Sequence, residues 1–199
     1  MVAGLEEVTE GEVLIDGENI YAPTVDVTDI RKKTGLLAQR PYPLPMSIYE
    51  NVSYGMYIHQ MKKDKREYKE AVRHYLELAG LWEEVKKRMH DPATSLSIGQ
   101  QQRLCLARVL ALEPEVILMD EPMSGLDPLS TAKIEDSMQQ LKQLYTIVIA
   151  PHNIQQAARV ADNAAFFLQG RLIEEGAGKQ LFITPRDKRT EDYIMGRFG

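Results

Sequence analysis

A single cysteine, Cys105, occurs in 199 residues, which excludes an internal disulfide and any site built from several thiolates. It stands among Leu104, Leu106 and Ala107 and reads as a buried apolar residue in a reducing compartment. A basic excess is also lacking: 24 Lys and Arg against 29 Asp and Glu leave a net charge of -5, which argues against a nucleic-acid backbone as the main ligand. No apolar run approaches the roughly 20 residues that span a bilayer. The first twelve residues hold four glutamates and no basic residue, so neither a spanning helix nor a signal peptide is expected. Any membrane association then goes through another protein. Repeats and low-complexity tracts are missing too. What is present, 44% hydrophobic and 27% charged residues, suits one globular core.

The pattern along the chain is that of an α/β protein. Val13-Leu14-Ile15 before Asp16-Gly17 predicts a strand and tight turn, and the first forty residues read as β-rich. Gly35 to Ala38 is a second apolar run ending at Gln39, after which Pro41, Pro43 and Pro45 exclude helix and central strand. Gln39 is therefore expected at a strand end, on a stiff exposed loop. Lys62 to His90 predicts amphipathic helices broken near Gly80, their charge run a solvated face or else a partner face. A helix from Gly99 to about Leu112, an apolar strand over 116–119, a helix capped by Asp127-Pro128 and a buried strand over 146–150 follow. Strand, helix and strand between Val116 and Ala150 make a βαβ unit, so the two strands are expected to be parallel, with ligand-facing residues at their carboxyl ends. Asp120, Glu121 and His152 stand there. Residues 165–173 read as a hairpin turning at Gln169-Gly170.

Asp120-Glu121 places two carboxylates at a sheet rim, where one can hold a metal-bound phosphate and the other orient or deprotonate water; two solvated acids at a strand end would look the same. Ser97-Ile98-Gly99-Gln100 has the form of a capping box, and a capped helix start is also an anion site. His152 is equally open, as a cap, a core residue or a group that reaches a terminal phosphate.

Taken in order, these pieces resemble the nucleotide-binding subunit of an ABC transporter, over essentially the whole chain. Gln39 matches the Q-loop, "LSIGQQQR" the signature, "VILMDEP" the Walker B motif with its catalytic glutamate, "SGLD" at Ser124 to Asp127 the D-loop, and His152 the switch histidine. "GEVLIDGENIYAP", "RPYPLPMSIYENVSYG", "HNIQQAARVAD" and "DKRTEDYIMGRFG" are similar to the phosphate-importing branch. The resemblance implies a P-loop NTPase core with a parallel sheet, an antiparallel β-subdomain and a helical subdomain. Residues 1–39 would form the amino-terminal β-rich part of the core up to the Q-loop, 40–112 the helical subdomain with the signature, and 113–199 the core with Walker B, D-loop, H-loop and carboxyl-terminal hairpin and helix. It implies ATP and Mg²⁺ as ligands, with Asp120 and Gln39 toward the metal, Glu121 as general base and His152 on the γ-phosphate. Ser97, Gly99 and Gln100 would face the opposite subunit's ATP, and Asp127 would bridge a homodimer. The implied partners are two membrane-spanning permease subunits and, indirectly, a periplasmic or extracellular phosphate-binding protein, with no nucleic acid, at the cytoplasmic face of the membrane.

The family's G-x-x-x-x-G-K-[ST] phosphate loop is not found. Gly176-Ala177-Gly178-Lys179 is followed by Gln180, lacks the first glycine and is rejected. The expectation is an amino-terminally truncated ATPase core that binds MgATP very weakly. Three residues depart from the family pattern: Ile98 replaces a glycine and would resist a positive φ, Pro151 replaces a threonine and restricts Ala150, and Met123 replaces a threonine. The alternatives are a non-catalytic interaction module and, against the absence of any sustained heptad, an ATPase of DNA repair or chromosome structure.

Overall fold

The computed structural model describes residues 8–15 and 17–197. Asp16 of the expected turn and the last two residues of the carboxyl-terminal string lie outside them. Contacts divide the chain between Ala150 and Pro151 into two compact units.

In the first unit the elements are β1 (Leu14–Ile15), β2 (Glu18–Asn19), α1 (Val27–Lys33), β3 (Thr34–Leu37), α2 (Ile48–Ile58), α3 (Lys65–Leu78), α4 (Trp82–Val85), α5 (Ile98–Leu110), β4 (Val116–Asp120), α6 (Pro128–Leu141) and β5 (Thr146–Ala150). β1 and β2 pair antiparallel, and β3, β4 and β5 form a parallel sheet in that order. Leu37 pairs with Met119 and Asp120 with Ala150, so the carboxyl ends of all three strands share one rim. The βαβ reading of Val116 to Ala150 is what the structure shows.

The β-rich reading of the first forty residues is corrected by α1. Asp26 caps it by accepting from Thr28 N at 2.7 Å, and Arg31, Lys32 and Lys33 crowd its last turn, where the helix dipole favours cations. Val27, Thr28 and Ile30 masked the helix, because β-branched residues carry strand preference. The buried reading of β5 is also corrected: its residues alternate between exposed and half-buried. Ile117 and Met119 are buried on one face of β4, whereas the cross-strand row Leu36, Leu118, Val148 lies on the other, with Leu36 and Val148 exposed.

Helix α5 is the hub. It packs on α2, α3, α6 and β3, and Leu104, Leu106, Ala107 and Leu110 are fully buried along it. α3 turns Tyr68, Val72, Tyr75 and Leu76 inward and most of its charges outward, as an amphipathic helix should. Gly80 ends that helix at φ +62, a conformation that glycine adopts without a Cβ clash. Gly35 lets β3 approach α5, since a Cβ there would collide with Val109 Cγ1 and lie 3.3 Å from Pro114 Cγ. Gly35→Ala is expected to cost about 1–3 kcal/mol through overpacking, read as a lower urea midpoint at constant m.

The second unit holds α7 (Ile154–Val160), β6 (Asn163–Leu168), β7 (Arg171–Ala177), α8 (Gly178–Ile183) and α9 (Lys188–Ile194). β6 and β7 form the expected hairpin. Gln169 and Gly170 turn it at φ +49 and +75, and a register shift falls between Phe166 and Phe167. Gly178, in the segment rejected as a phosphate loop, starts α8, where a Cβ would meet the Ala161 carbonyl oxygen at 2.5 Å. Among the described residues, no helix is long and apolar enough to cross a membrane.

Candidate functional site

Gln39 lies two residues beyond β3, and Glu121 one residue beyond β4. Parallel pairing in register brings those strand ends side by side, and the Gln39 Nε2 donates to Glu121 Oε2 at 2.7 Å and to Ser124 Oγ at 3.5 Å. Glu121 itself sits at φ +40, a left-handed conformation that costs a non-glycine residue roughly 1–2 kcal/mol. It is held there by its N–H, which donates to Ala150 O at 2.8 Å, and by its carbonyl, which accepts from Ser124 N at 3.0 Å. Strain retained at a rim carboxylate is a pointer to function. Asp120, the last residue of β4, is exposed beside it.

Two helix starts meet in the same unit. Ser97 caps α5 with the expected capping box: Ser97 Oγ accepts from Gln100 N at 3.4 Å and Gln100 Oε1 from Ser97 N at 3.0 Å. Asp127 caps α6, accepting from Leu129 N and Ser130 N, both at 3.0 Å, and from Ser130 Oγ at 2.6 Å. These hydrogen bonds, the Ser130 hydroxyl first, hold its carboxyl below the usual range. Gly99 is buried where the two starts touch, with room for no Cβ, which would lie 2.6 Å from Ser130 Cβ. Ile98 is helical and 61% exposed. The positive φ expected to make it awkward is not required, because a residue in the first helical turn has ordinary αR geometry. Met123, whose place was unexplained, is 3% exposed and buried in the turn that follows β4.

The sequence reading missed four polar residues that support this region. Arg103 is 2% exposed; it donates to Glu84 through both guanidinium ends, at 2.8 and 3.0 Å, and to the Gly80 carbonyl. Glu84 also accepts from Lys133 of α6 and from Gln100 Nε2, and these partners, Arg103 foremost, lower its carboxyl to about 2 against burial. Asn51, fully buried, accepts from Leu44 N at 2.8 Å and donates to the Leu44 and Ser47 carbonyls at 3.1 and 3.0 Å, pinning the proline-rich loop. Gln102, 1% exposed, donates from Nε2 to Ala38 O at 3.0 Å and leaves its Oε1 without a hydrogen bond, at a cost of about 1–3 kcal/mol. "QQQR", "YEN" and "WEEV" carried these residues in plain view. Nothing in their spacing distinguished buried polar groups from a solvated face.

Next to the pinned loop, Met46, Tyr49, Tyr54, Tyr57, Ile58 and His90 line an open groove of about 720 Å³. Tyr57 stacks on Tyr68 with centroids 4.0 Å apart, while Tyr54 and Ile58 stay exposed. In the second unit His152 is exposed, one residue before Asn153, which caps α7. Among the described residues no group of three or more His, Cys, Asp or Glu is placed to hold a metal. Asp120 and Glu121 with the Gln39 amide are hard-oxygen donors that fit Mg²⁺, which takes one or two carboxylates and completes its shell with water and substrate phosphates.

The chain is similar to a solved structure, CbiO1 from Clostridium perfringens, described as part of the ABC transporter complex cbiONQ. The two share 29% sequence identity at a TM-score of 0.80, over 98% of this chain and 77% of that one. That likeness makes this an α/β P-loop NTPase fold of the ABC ATPase kind, with its parallel sheet, antiparallel part and helices. Residues 1–124 match the family model described as ABC transporter. With a match over more than half its length, and the Gln39–Glu121 pair seated on a parallel sheet rim, the chain belongs to the ABC transporter family.

Proposed function

We propose that this chain is the ATP-hydrolysing, energy-coupling subunit of an ABC importer that takes up inorganic phosphate. The observation that carries the hydrolytic part is the 2.7 Å hydrogen bond from Gln39 to Glu121 at a shared strand-end rim. Glu121 would accept a proton from the attacking water, and Gln39, already on that carboxylate, would orient the same water. Asp120 with Gln39 would hold Mg²⁺, which supplies charge neutralisation at the phosphates when bound. His152 would contact the terminal phosphate, on its motif position alone. Ser97, Gly99 and Gln100 would serve a partner copy's ATP, and Asp127 the homodimer, on their motif positions alone. The proposed layout keeps 1–39 and 113–199 as core and 40–112 as the helical subdomain. Two permease subunits at the cytoplasmic membrane face are the proposed partners, supported by the tyrosine-lined groove beside the Q-loop segment. The transporter reading draws on the likeness to CbiO1, and phosphate import on the sequence strings given above.

A second reading, a non-catalytic interaction module, is favoured by one observation: the 199 residues contain no G-x-x-x-x-G-K-[ST]. Calorimetric titration with MgATP separates the two. The 199-residue polypeptide alone is expected to show no measurable heat of binding, and the same residues joined to a family-type phosphate loop are expected to bind. Binding by neither would establish the interaction module; binding by the chain alone would overturn the need for that loop.

A further inference from the structure

We propose that Gln102 is a positioning residue for the Gln39–Glu121 pair, tying the signature helix to the Q-loop; its significance for hydrolysis rests on the ATPase reading above. Gln39 must present its amide to Glu121 from a segment that has left the sheet, and α5 grips that segment on both sides. Gln102 Nε2 donates to the carbonyl of Ala38, the residue before Gln39, at 3.0 Å. Six residues further along α5, Arg108 Nη1 donates to the Tyr42 carbonyl at 3.0 Å and to Asn51 Oδ1 at 3.3 Å. Gln39 thus lies between two anchor points on one helix, and that helix begins at Ile98, capped by Ser97.

The burial of Gln102 indicates that its amide is not there for stability. Its Oε1 is enclosed without a partner, so an apolar residue of similar shape would remove an unfavourable group. Ala38 is exposed, so water can replace the lost donor at its carbonyl. What a leucine cannot replace is the fixed direction of the Ala38–Gln39 peptide. A tilt of the signature helix would therefore be transmitted through one hydrogen bond to the amide that contacts Glu121.

The test follows the Gln39 side-chain NH₂ signals in ¹⁵N-labelled 199-residue chain, with Glu121→Ala marking their position when the acceptor is gone. In Gln102→Leu these signals are expected to move at least half of the way to the Glu121→Ala position, with a thermal midpoint close to that of the unsubstituted chain. Gln101→Leu, one residue away with its amide on the Leu96 carbonyl, is expected to leave them in place. Gln39 signals unmoved in Gln102→Leu would overturn the proposal, as would an equal movement in Gln101→Leu. If circular dichroism shows Gln102→Leu unfolded, Gln102→Met is read by the same criteria. The measurement uses no nucleotide, so failure of the ATPase reading, seen as hydrolysis indifferent to Glu121→Gln, is told apart from failure of this one.

Discussion

Glu121→Gln is expected to lower ATP turnover by about 10²- to 10⁴-fold, the range for loss of a positioned general base, with MgATP affinity changed by far less. The assay uses the 199 residues joined to a family-type phosphate loop, and compares kcat with calorimetric affinity for the unsubstituted and the Glu121→Gln protein. Glutamine keeps the shape of the side chain and still accepts from the Gln39 amide, so the strand-end geometry survives. It cannot take a proton from water. Glu121 is held at φ +40 by backbone hydrogen bonds to Ala150 and Ser124, and neither involves the carboxylate, so no loss of fold should accompany the loss of turnover. Unchanged turnover would remove Glu121 from the proton-transfer step and leave its strain and its contact with Gln39 without a catalytic explanation.

Glu84→Ala is expected to destabilise the chain by about 3 kcal/mol, the low end of the range for removing one partner of a buried ion pair, because Arg103 is buried while Glu84 is part-exposed. Its Arg103 guanidinium, 2% exposed, would be left among α3, α5 and α6 with only carbonyl acceptors. Lys133, one-third exposed, can turn to solvent and adds less. The same pair sets a pH dependence. The Glu84 carboxyl is lowered from 4.5 to about 2, so the unfolded chain takes up its proton first. The stabilisation is complete above about pH 4.5 and disappears as pH falls toward 2. Glu84→Gln should flatten that part of the acid-unfolding curve. Urea midpoints measured between pH 2 and 6 check both statements, and an acid limb identical in Glu84→Gln would exclude this carboxylate as its cause. Because Gln100 Nε2 also donates to Glu84, Glu84→Ala should loosen the α5 capping box as well.

The parallel βαβ unit was legible because its signals are local. The four apolar residues before Asp120, the cap at Asp127 and the run at 146–150 each declare an element, and a short crossover between strands leaves little choice of direction. The hairpin at Gln169-Gly170 was legible for the same reason. Helix α1 was not, because Val27, Thr28 and Ile30 prefer strands when taken alone, and the decision lay with the Asp26 cap and three cations at the far end. The exposed face of β5 was not legible either, since an apolar run states that a strand could be buried, not which neighbour covers it. At the site, Asp120, Glu121, Gln39, Ser97 and Asp127 could be picked out by residue type and motif order. The positive φ expected at Ile98 was misjudged, because its conformation depends on where α5 begins.

By itself the sequence determined the parallel βαβ unit, the hairpin and the motif residues at strand and helix ends, since capping, turn formation and hydrophobic period depend on neighbours within a few positions. Only the tertiary structure decided that Gln39, 82 residues from Glu121 in the chain, donates to its carboxylate. It also decided that Gly99 must lack a side chain and that Arg103 and Gln102 are buried. Those facts depend on how closely α5 approaches α6, α4 and β3, and packing distance between elements far apart in the chain leaves no mark on local residue pattern.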